Sequence, residues 1–418
     1  MRHSRAIALI AAAAALPSPL RAADFQVTSS TQILGYSDFL SPAEPNQGSV
    51  AQYLRLNVVG LDDKNRYNIY GYGRVVGQFT GQILPDGDAY GRLYYLYLDA
   101  RDVIPDHFDL KLGRTYVPQS AITSTVDGGY VNARNLGLRG LGLTAFGGHK
   151  VTYDNLAEVG NADDLAAGGS VYVDLVRRTH LEASYARKWI GGDYAQDFAS
   201  LDVNTVPFAF LGLTGRAKYD LGESRWAELL AGVSLTPFDP LEIPLVIKGE
   251  VIVERPSFDQ FSFYRYFGVA RYQEFGGALE YEVLEGLRLN ARYAYENFAG
   301  ANDDVDQHAN VIEAGASFRR VRNLVVNASF LNRNGFGARL SGLRLNAAYA
   351  LGKLGLLAGI DYDDFRRDLA RTDTSKRYWA GANYEINKNF TVSVHGEDDI
   401  SYLFTHTLQG VAALVFHL

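Results

Sequence analysis

Stretches in which apolar and polar side chains alternate over about ten residues recur along this chain. One of them, GLRLNARYAY, runs from Gly286 to Tyr295, and a near copy, GLRLNAAYAL, runs from Gly342 to Leu351. Leucine, alanine and tyrosine take every second position, with arginine and asparagine between them. A period of two indicates a β-strand, because successive side chains point to opposite faces of a sheet. The pattern predicts strands with one apolar and one polar face.

The connections between these stretches are of two kinds. Short turns follow aromatic residues in YEVLEGLRLNA, FRRVRNLVVNA and YEINKNFTVSV, which indicates tight hairpins. Longer polar segments, ENFAGANDDVDQH, NRNGFGARLSG and FRRDLARTDTSK, separate the hairpins. Short turns at one end and longer polar loops at the other are typical of an up-and-down β-barrel in an outer membrane.

The length of the stretches favours a membrane barrel over a soluble β-sandwich. Sandwich strands average about 5–6 residues, whereas a tilted strand that crosses a bilayer needs about 9–11. Aromatic residues at strand ends, drawn from 27 Tyr and 22 Phe, match the aromatic girdles of such barrels. We therefore predict an all-β fold, a single antiparallel barrel of about 18 to 22 strands with an even number expected. A soluble secreted β-protein remains the alternative.

The beginning of the chain predicts export. A basic start, Arg2 to Arg5, precedes an uninterrupted apolar run from Ala6 to Leu16, too short to span a bilayer as a helix. We predict that residues 1–22 are a cleaved signal peptide and that residues 23–418 form the barrel. The formal net charge of −7 disfavours nucleic acid as a partner. Cysteine is absent, so no thiolate is available to a metal or to catalysis.

The polar faces of the predicted strands carry charged residues of both signs. A charge on the lipid side of a barrel costs about 2–4 kcal/mol for Arg or Lys at the midplane, which favours an inward orientation. Both signs occur, so the sequence leaves ion preference open; each charge can instead belong to a solvated wall without a selective role. The candidate pore-lining residues are Arg55, Asp109, Lys111, Lys248, Glu250, Arg288, Arg292, Glu296, Glu313, Arg319, Arg344, Asp361, Arg377 and Glu385.

One long segment is a candidate constriction. The stretch from Val117 to Asn135 reads as a loop of a length that is usually functional, and it can fold into the lumen or stay on the surface. Asp127 and Arg134 are its only charges, so they are the constriction candidates.

No cofactor, metal or catalytic site is predicted. Three aspartates and a histidine resemble a calcium loop, but the required glycine and distal glutamate are missing, which favours a solvated acidic loop. The chain contains neither G-x-S-x-G nor H-E-x-x-H, and no helical pattern follows a loose G-x-G-x-x-A match. The residues of the acidic loop are Asp303, Asp304, Asp306 and His308, and those of the loose match are Gly140, Gly142 and Ala145.

As a whole, the chain resembles Gram-negative outer-membrane porins. The signal peptide, the alternating strands with aromatic ends and the C-terminal stretch LQGVAALVFHL carry the resemblance, although Leu418 stands where such barrels usually end in Phe. The stretch FDLKLGRTYVP also looks like a segment that precedes an inward-folded loop in porin-type families, including alginate-exporter-like barrels. The resemblance implies an outer-membrane location.

Two functions from different classes follow from such a barrel. The first is passive diffusion of small hydrophilic solutes or ions through a water-filled lumen. The second is a sheath or exporter that encloses a partner, either a multihaem cytochrome or a polysaccharide. The expected partners are outer-membrane lipid and small solutes, together with a homo-oligomer or a periplasmic protein as further candidates.

Overall fold

A computed structural model describes most of the 418-residue chain. The described residues are 23–37, 46–80, 89–153, 158–159, 163–175, 178–238, 244–255, 271–299, 308–335, 339–367, 371–401 and 406–418. The predicted signal peptide and the three aspartates of the acidic loop lie outside these ranges, while His308 begins a strand.

The described residues form strands joined by turns. The strands are β1 (Asp24–Ser37), β2 (Asn46–Val59), β3 (Tyr67–Thr80), β4 (Ala89–Ile104), β5 (Phe108–Pro118), β6 (Thr123–Ala133), β7 (Leu141–Tyr153), β8 (Glu158–Val159), β9 (Leu165–Leu175), β10 (Thr179–Ile190), β11 (Asp193–Phe208), β12 (Leu211–Asp220), β13 (Arg225–Leu235), β14 (Leu245–Glu254), β15 (Arg271–Leu284), β16 (Leu287–Ala299), β17 (His308–Phe318), β18 (Leu324–Gly335), β19 (Arg339–Leu351), β20 (Leu354–Arg367), β21 (Arg371–Asn387), β22 (Phe390–Ile400) and β23 (Thr407–His417). No helix in these ranges combines the length and apolar character that a membrane crossing requires.

The sheet closes on itself. Each long strand pairs antiparallel with the next, and β1 also pairs with β23, from Thr28 opposite His417 to Tyr36 opposite Gln409. The two-residue β8 only pairs with the last two residues of β7, and β7 pairs directly with β9. Within the described ranges the fold is therefore a closed up-and-down barrel of 22 strands. This confirms the predicted fold class and lies at the upper limit of the predicted strand number.

The two ends of the barrel differ, as the turn pattern predicts. The start of β1 and the end of β23 lie at one end, here called the terminal end, where Leu418 N donates to Val27 O at 2.9 Å. Tight turns join β15 to β16, β19 to β20 and β21 to β22 at this end. Gly286 in the first of them has φ +78°, and a Cβ there would lie 3.0 Å from Arg320 N, so this turn requires glycine.

Strands near the opposite end, here called the far end, continue into segments that the sequence suggested were loops. Strand β16 extends to Ala299, β20 to Arg367, and β21 begins at Arg371 and is 17 residues long. Polar residues can continue a strand beyond the bilayer because the neighbouring strand still pairs with their backbone groups. The two GLRLNA copies lie on β16 and β19 and cross the barrel in opposite directions.

The segment from Val117 to Asn135 is not a long loop, and this prediction is wrong. Strands β5 and β6 pair in register from Phe108 opposite Ala133 to Pro118 opposite Thr123, which leaves a connection of only Gln119–Ile122. Glycine at position 128 serves close strand packing here. A Cβ on Gly128 would lie 2.1 Å from Gly147 O.

Candidate functional site

The two faces of the barrel wall differ in composition. On β7, β9 and β10, Leu143, Val171 and Tyr185 are large, 42–50% exposed side chains on one face. Thr144, Ser170 and Ser184 occupy the other face at neighbouring positions. An apolar face suits lipid and a polar face suits water, so the hydroxyl-bearing face is the inner one. Because paired residues on neighbouring strands point to the same face, the strand register assigns inner and outer faces to the other strands as well.

The connection Gln119–Ile122, here called the inward bend, lies against the inner face. Gln119 Nε2 donates to Thr144 Oγ1 at 2.7 Å, and Ala121 N donates to Ser184 Oγ at 3.0 Å. These bonds tie the bend to β7 and β10, although the strands that adjoin the bend in sequence are β5 and β6. Ala121 is fully buried in an apolar cluster inside the barrel. The other members of that cluster are Val117, Ile122, Val126, Phe146, Ala166, Ala186, Phe198 and Ala227.

The inward bend narrows one side of the lumen, but the two predicted constriction charges are not part of it. Asp127 pairs with Arg114 on the outer face, with Arg114 Nε and Nη2 donating to its carboxylate at 2.7 and 2.6 Å. Arg134 lies near the terminal end and donates to Asp102 and Asp109 at 2.6 and 2.9 Å. The alternation places Asp127 outside because Val126, its neighbour, faces in.

The inner face of β14 to β22, here called the paired wall, carries charges in contact with one another. Arg292 donates to Glu250 and Glu313 at 3.3 and 3.2 Å and also contacts Glu274. Arg292, Glu250 and Glu313 line a cavity of about 260 Å³, and Lys248 lines it as well. Lys248 Nζ lies 2.5 Å from Glu280 Oε1.

The paired wall continues towards β22 in the same way. Arg344 donates to both oxygens of Asp363 at 2.9 Å and lies 4.0 Å from Asp361. Arg377 Nε donates to Asp399 Oδ1 at 2.7 Å. Arg333 likewise pairs with Glu296 at 2.9 Å. Each of these arginines has a carboxylate partner, so the positive charges of this wall are locally compensated.

The inner face of β2 to β6 is different and is here called the tyrosine wall. Its tyrosine rings contact one another, and its cations lie over the rings. Tyr72 stacks on Tyr94 with ring centroids 4.8 Å apart. The wall consists of Tyr53, Arg55, Tyr70, Tyr72, Arg74, Tyr90, Arg92, Tyr94, Tyr95, Tyr97, Lys111 and Tyr130.

Three cations of the tyrosine wall make no ion pair with a carboxylate in the described parts of the chain. The guanidinium of Arg55 lies 5.6 Å from the Tyr72 ring, and its Nε donates to Tyr95 Oη at 3.1 Å. Arg74 lies 5.4 Å from the Tyr90 ring. Lys111 Nζ lies between two rings, 5.7 Å from that of Tyr97 and 5.6 Å from that of Tyr130.

The remaining candidates lie nearer the terminal end. Arg288 is 3.6 Å from Glu282, and Asp109 binds Arg134 as described above. Glu385 is exposed on β21, on the inner face next to Thr391 of β22. Arg319 is not on a strand: it lies in the turn between β17 and β18, exposed, with its backbone N–H bound to Gly286 O. In the sequence, the apolar–polar alternation continues one residue past the end of β17. For this reason Arg319 was assigned to the polar face of a strand.

The tyrosine wall was not predicted from the sequence. Consecutive tyrosines at 94 and 95 break the alternation, because the register between β3 and β4 shifts beside Tyr72. Both tyrosines therefore contact Tyr72. The sequence-based list of lining residues also omitted Glu274, Asp363 and Asp399. Each of them occupies one of the alternate positions that form the polar face of its strand.

Comparison with solved structures addresses the fold. A BenF-like porin from Pseudomonas fluorescens Pf-5 superposes with a TM-score of 0.50 at 11% sequence identity, covering 96% of this chain and all of that one. The chain has a porin-type β-barrel fold. OccAB2 of Acinetobacter baumannii (TM-score 0.48, 8% identity, 96% and 99% covered) and OccK3 of Pseudomonas aeruginosa (0.46, 13%, 94% and 96%) are also similar to this porin-type barrel.

No protein-family model matches the sequence of this porin-type barrel. No curated protein sequence matches it either.

Proposed function

We propose that this porin-type barrel is an outer-membrane channel through which small hydrophilic solutes and ions diffuse passively. The single observation that carries the proposal is a closed barrel with a polar inner face and an apolar outer face. Such a wall separates lipid from a water-filled lumen, and solutes are selected by the width of the lumen and its lining charges.

The lumen needs to be open for this function. Barrels of 22 strands are wide, and outer-membrane transporters of that size contain a plug. Here the longest connection between consecutive strands runs from Glu254 to Arg271, which is far shorter than a separate plug domain. The described contacts of the inward bend are with one part of the wall, where it bonds to β7 and β10. An open passage beside the bend is therefore part of the proposal.

The lining role of the candidate charges is also part of the proposal. It applies to those on the inner face and excludes Arg319, which lies in a turn, and Asp127, which lies on the outer face. It assigns no catalytic residue. The alternative of a sheath or exporter has no supporting feature among the described residues.

The proposed location and partners can be tested separately. The predicted signal peptide supports export, and the apolar outer face supports contact with outer-membrane lipid. Light scattering of the protein in mild detergent would detect a homo-oligomer. Crosslinking in cells at the terminal end would detect a periplasmic partner.

Conductance across a planar bilayer tests the function directly. We expect refolded protein to insert and give stepwise currents in simple salt solutions. Protein that inserts, as shown by protease protection, but gives no current would overturn the open-channel proposal.

A further inference from the structure

The two walls of the lumen differ in how their cations are held. On the paired wall, Arg292, Arg344 and Arg377 each contact at least one carboxylate. On the tyrosine wall, Arg55 and Lys111 lie against tyrosine rings and have no carboxylate partner among the described residues. A cation over a ring keeps its full charge, whereas a cation in an ion pair is neutralised locally.

We propose that the tyrosine wall is a binding track for small organic anions that carry a flat ring, such as aromatic carboxylates. The proposal rests on the channel function proposed above and names the class of solute that interacts with the channel. A ring can stack on the tyrosines while its carboxylate accepts hydrogen bonds from the neighbouring guanidinium or ammonium group.

The centre of the track has room for such a solute. A cavity of about 420 Å³ is lined by Arg55, Tyr53 and Tyr72 together with three polar residues of β1, namely Thr28, Ser30 and Gln32. Pockets for small molecules usually measure about 300–1,000 Å³. The Arg55 side chain is exposed towards the lumen, and its Nε is oriented by Tyr95. Its remaining N–H donors are positioned to meet a carboxylate.

The rings form a continuous path rather than one isolated platform. Tyr53 and Tyr72 are 6.4 Å apart and nearly parallel, at 19°. Tyr72 contacts Tyr95 at 5.8 Å, and Tyr95 contacts Tyr97 at 5.9 Å. Tyr97 then lies beside Lys111. A ring that leaves one tyrosine therefore finds the next one within a few ångströms.

Cations recur along this path. Arg74 stands opposite Tyr53 in the strand register, Arg55 stands opposite Tyr72, and Lys111 follows towards the terminal end. A solute with both a ring and a negative charge meets both kinds of partner at each step. A neutral ring would use only the tyrosines, and a small inorganic anion would use only the cations.

Matched probes separate these possibilities. Phenylacetate has a ring and a charge, acetate has only the charge, and 2-phenylethanol has only the ring. We expect phenylacetate added to a single channel to interrupt the current for longer than either of the other two. Equal effects of phenylacetate and acetate, or of phenylacetate and 2-phenylethanol, would overturn the proposal.

Two variants test the named residues. Arg55→Gln should shorten the phenylacetate interruptions about tenfold, the effect of losing about 1.4 kcal/mol from a charge-assisted contact. Tyr72→Leu should shorten them about threefold to tenfold while leaving the response to acetate unchanged. Arg322→Gln, in an exposed turn, and Tyr349→Leu, on the outer face, make the same chemical changes elsewhere and should have no effect.

Failure of this proposal is distinguishable from failure of the channel function. Normal conductance without phenylacetate interruptions would overturn the binding track and leave the channel intact. If the protein does not conduct, calorimetric titration of folded, detergent-solubilised protein with phenylacetate tests the track without transport. Absence of heat there, or equal binding by Arg55→Gln, would overturn it.

Discussion

At the scale of single residues, Arg292 has the most demanding environment on the paired wall. It contacts Glu250, Glu274 and Glu313, and the Glu274 side chain is only 6% exposed. Three carboxylates close together repel one another unless a cation lies among them. Arg292 therefore allows these three carboxylates to lie close together inside the barrel.

Arg292→Gln should make the channel more cation-selective and less stable. The substitution leaves three carboxylates without their common partner, and we expect a loss of about 1–3 kcal/mol in the free energy of unfolding. Reversal potential in a salt gradient measures selectivity, and urea unfolding followed by tryptophan fluorescence measures stability. Arg322→Gln is the control for loss of one positive charge. Unchanged values in both measurements would mean that the carboxylates are compensated by other groups.

At the scale of elements, the glycines of β5 to β7 allow the strands to pack unusually closely. Gly113, Gly128 and Gly148 are consecutive partners across three strands. A Cβ on Gly148 would lie 2.5 Å from Asp127 O, and one on Gly113 would lie 2.4 Å from Leu96 O. The wall thus has a narrow seam without side chains, which crosses β5 and β6, the strand pair that carries the inward bend, and continues onto β7.

Two neighbouring glycines provide a matched test of this seam. Gly128→Ala should lower the free energy of unfolding by about 1–3 kcal/mol, because its Cβ would overlap the backbone of β7. Gly129→Ala should change it by less than about 1 kcal/mol, since its nearest contact is Leu112 Cδ2 at 3.5 Å. Urea unfolding in detergent or vesicles measures both. Equal effects would show that the strands adjust to a methyl group at either position.

Sequence alone predicted some elements well and others poorly, for identifiable reasons. From β16 to β23 the alternation is regular, so the strand faces were predicted well, apart from Arg319 in a turn and the strand ends that were predicted as loops. For example, Leu343 and Leu345 face out and Arg344 faces in. On β4 a register shift beside Tyr72 hides the face of the tyrosines. The β5–β6 hairpin was predicted as one long loop. Contacts between a bend and non-neighbouring strands, such as Ala121 with Ser184, leave no periodic signal at all.

At the scale of the whole molecule, closure between the first and last strands removes every exposed sheet edge of the barrel wall. Strands β1 and β23 pair over nine residue pairs, from Thr28 and His417 to Tyr36 and Gln409. An open barrel in lipid would leave two rows of backbone groups without hydrogen-bond partners, which is costly in hydrocarbon. The final strand is therefore required for a stable membrane-embedded state.

Removal of residues 407–418 should prevent formation of the folded barrel. The truncated chain would expose an edge on β1 and another on β22. We expect it to lose the difference in gel mobility between unheated and heated samples in dodecyl sulfate that a folded barrel shows. Substituting only His417 with Gln is the control and should keep that difference. A truncated chain that still resists unfolding without heat would mean that β1 and β22 can close the barrel themselves.

The contrast between the two walls has a consequence for the shape of the electric field inside the barrel. Positive charge without a carboxylate partner among the described residues lies on one side of the lumen, near Arg55 and Lys111, and cations paired with carboxylates lie on the other. The most favourable route for an anion is then displaced from the geometric axis towards β2 to β5. A solute with its charge at one end would travel with that end turned to this side, so molecular orientation, as well as size, would govern passage.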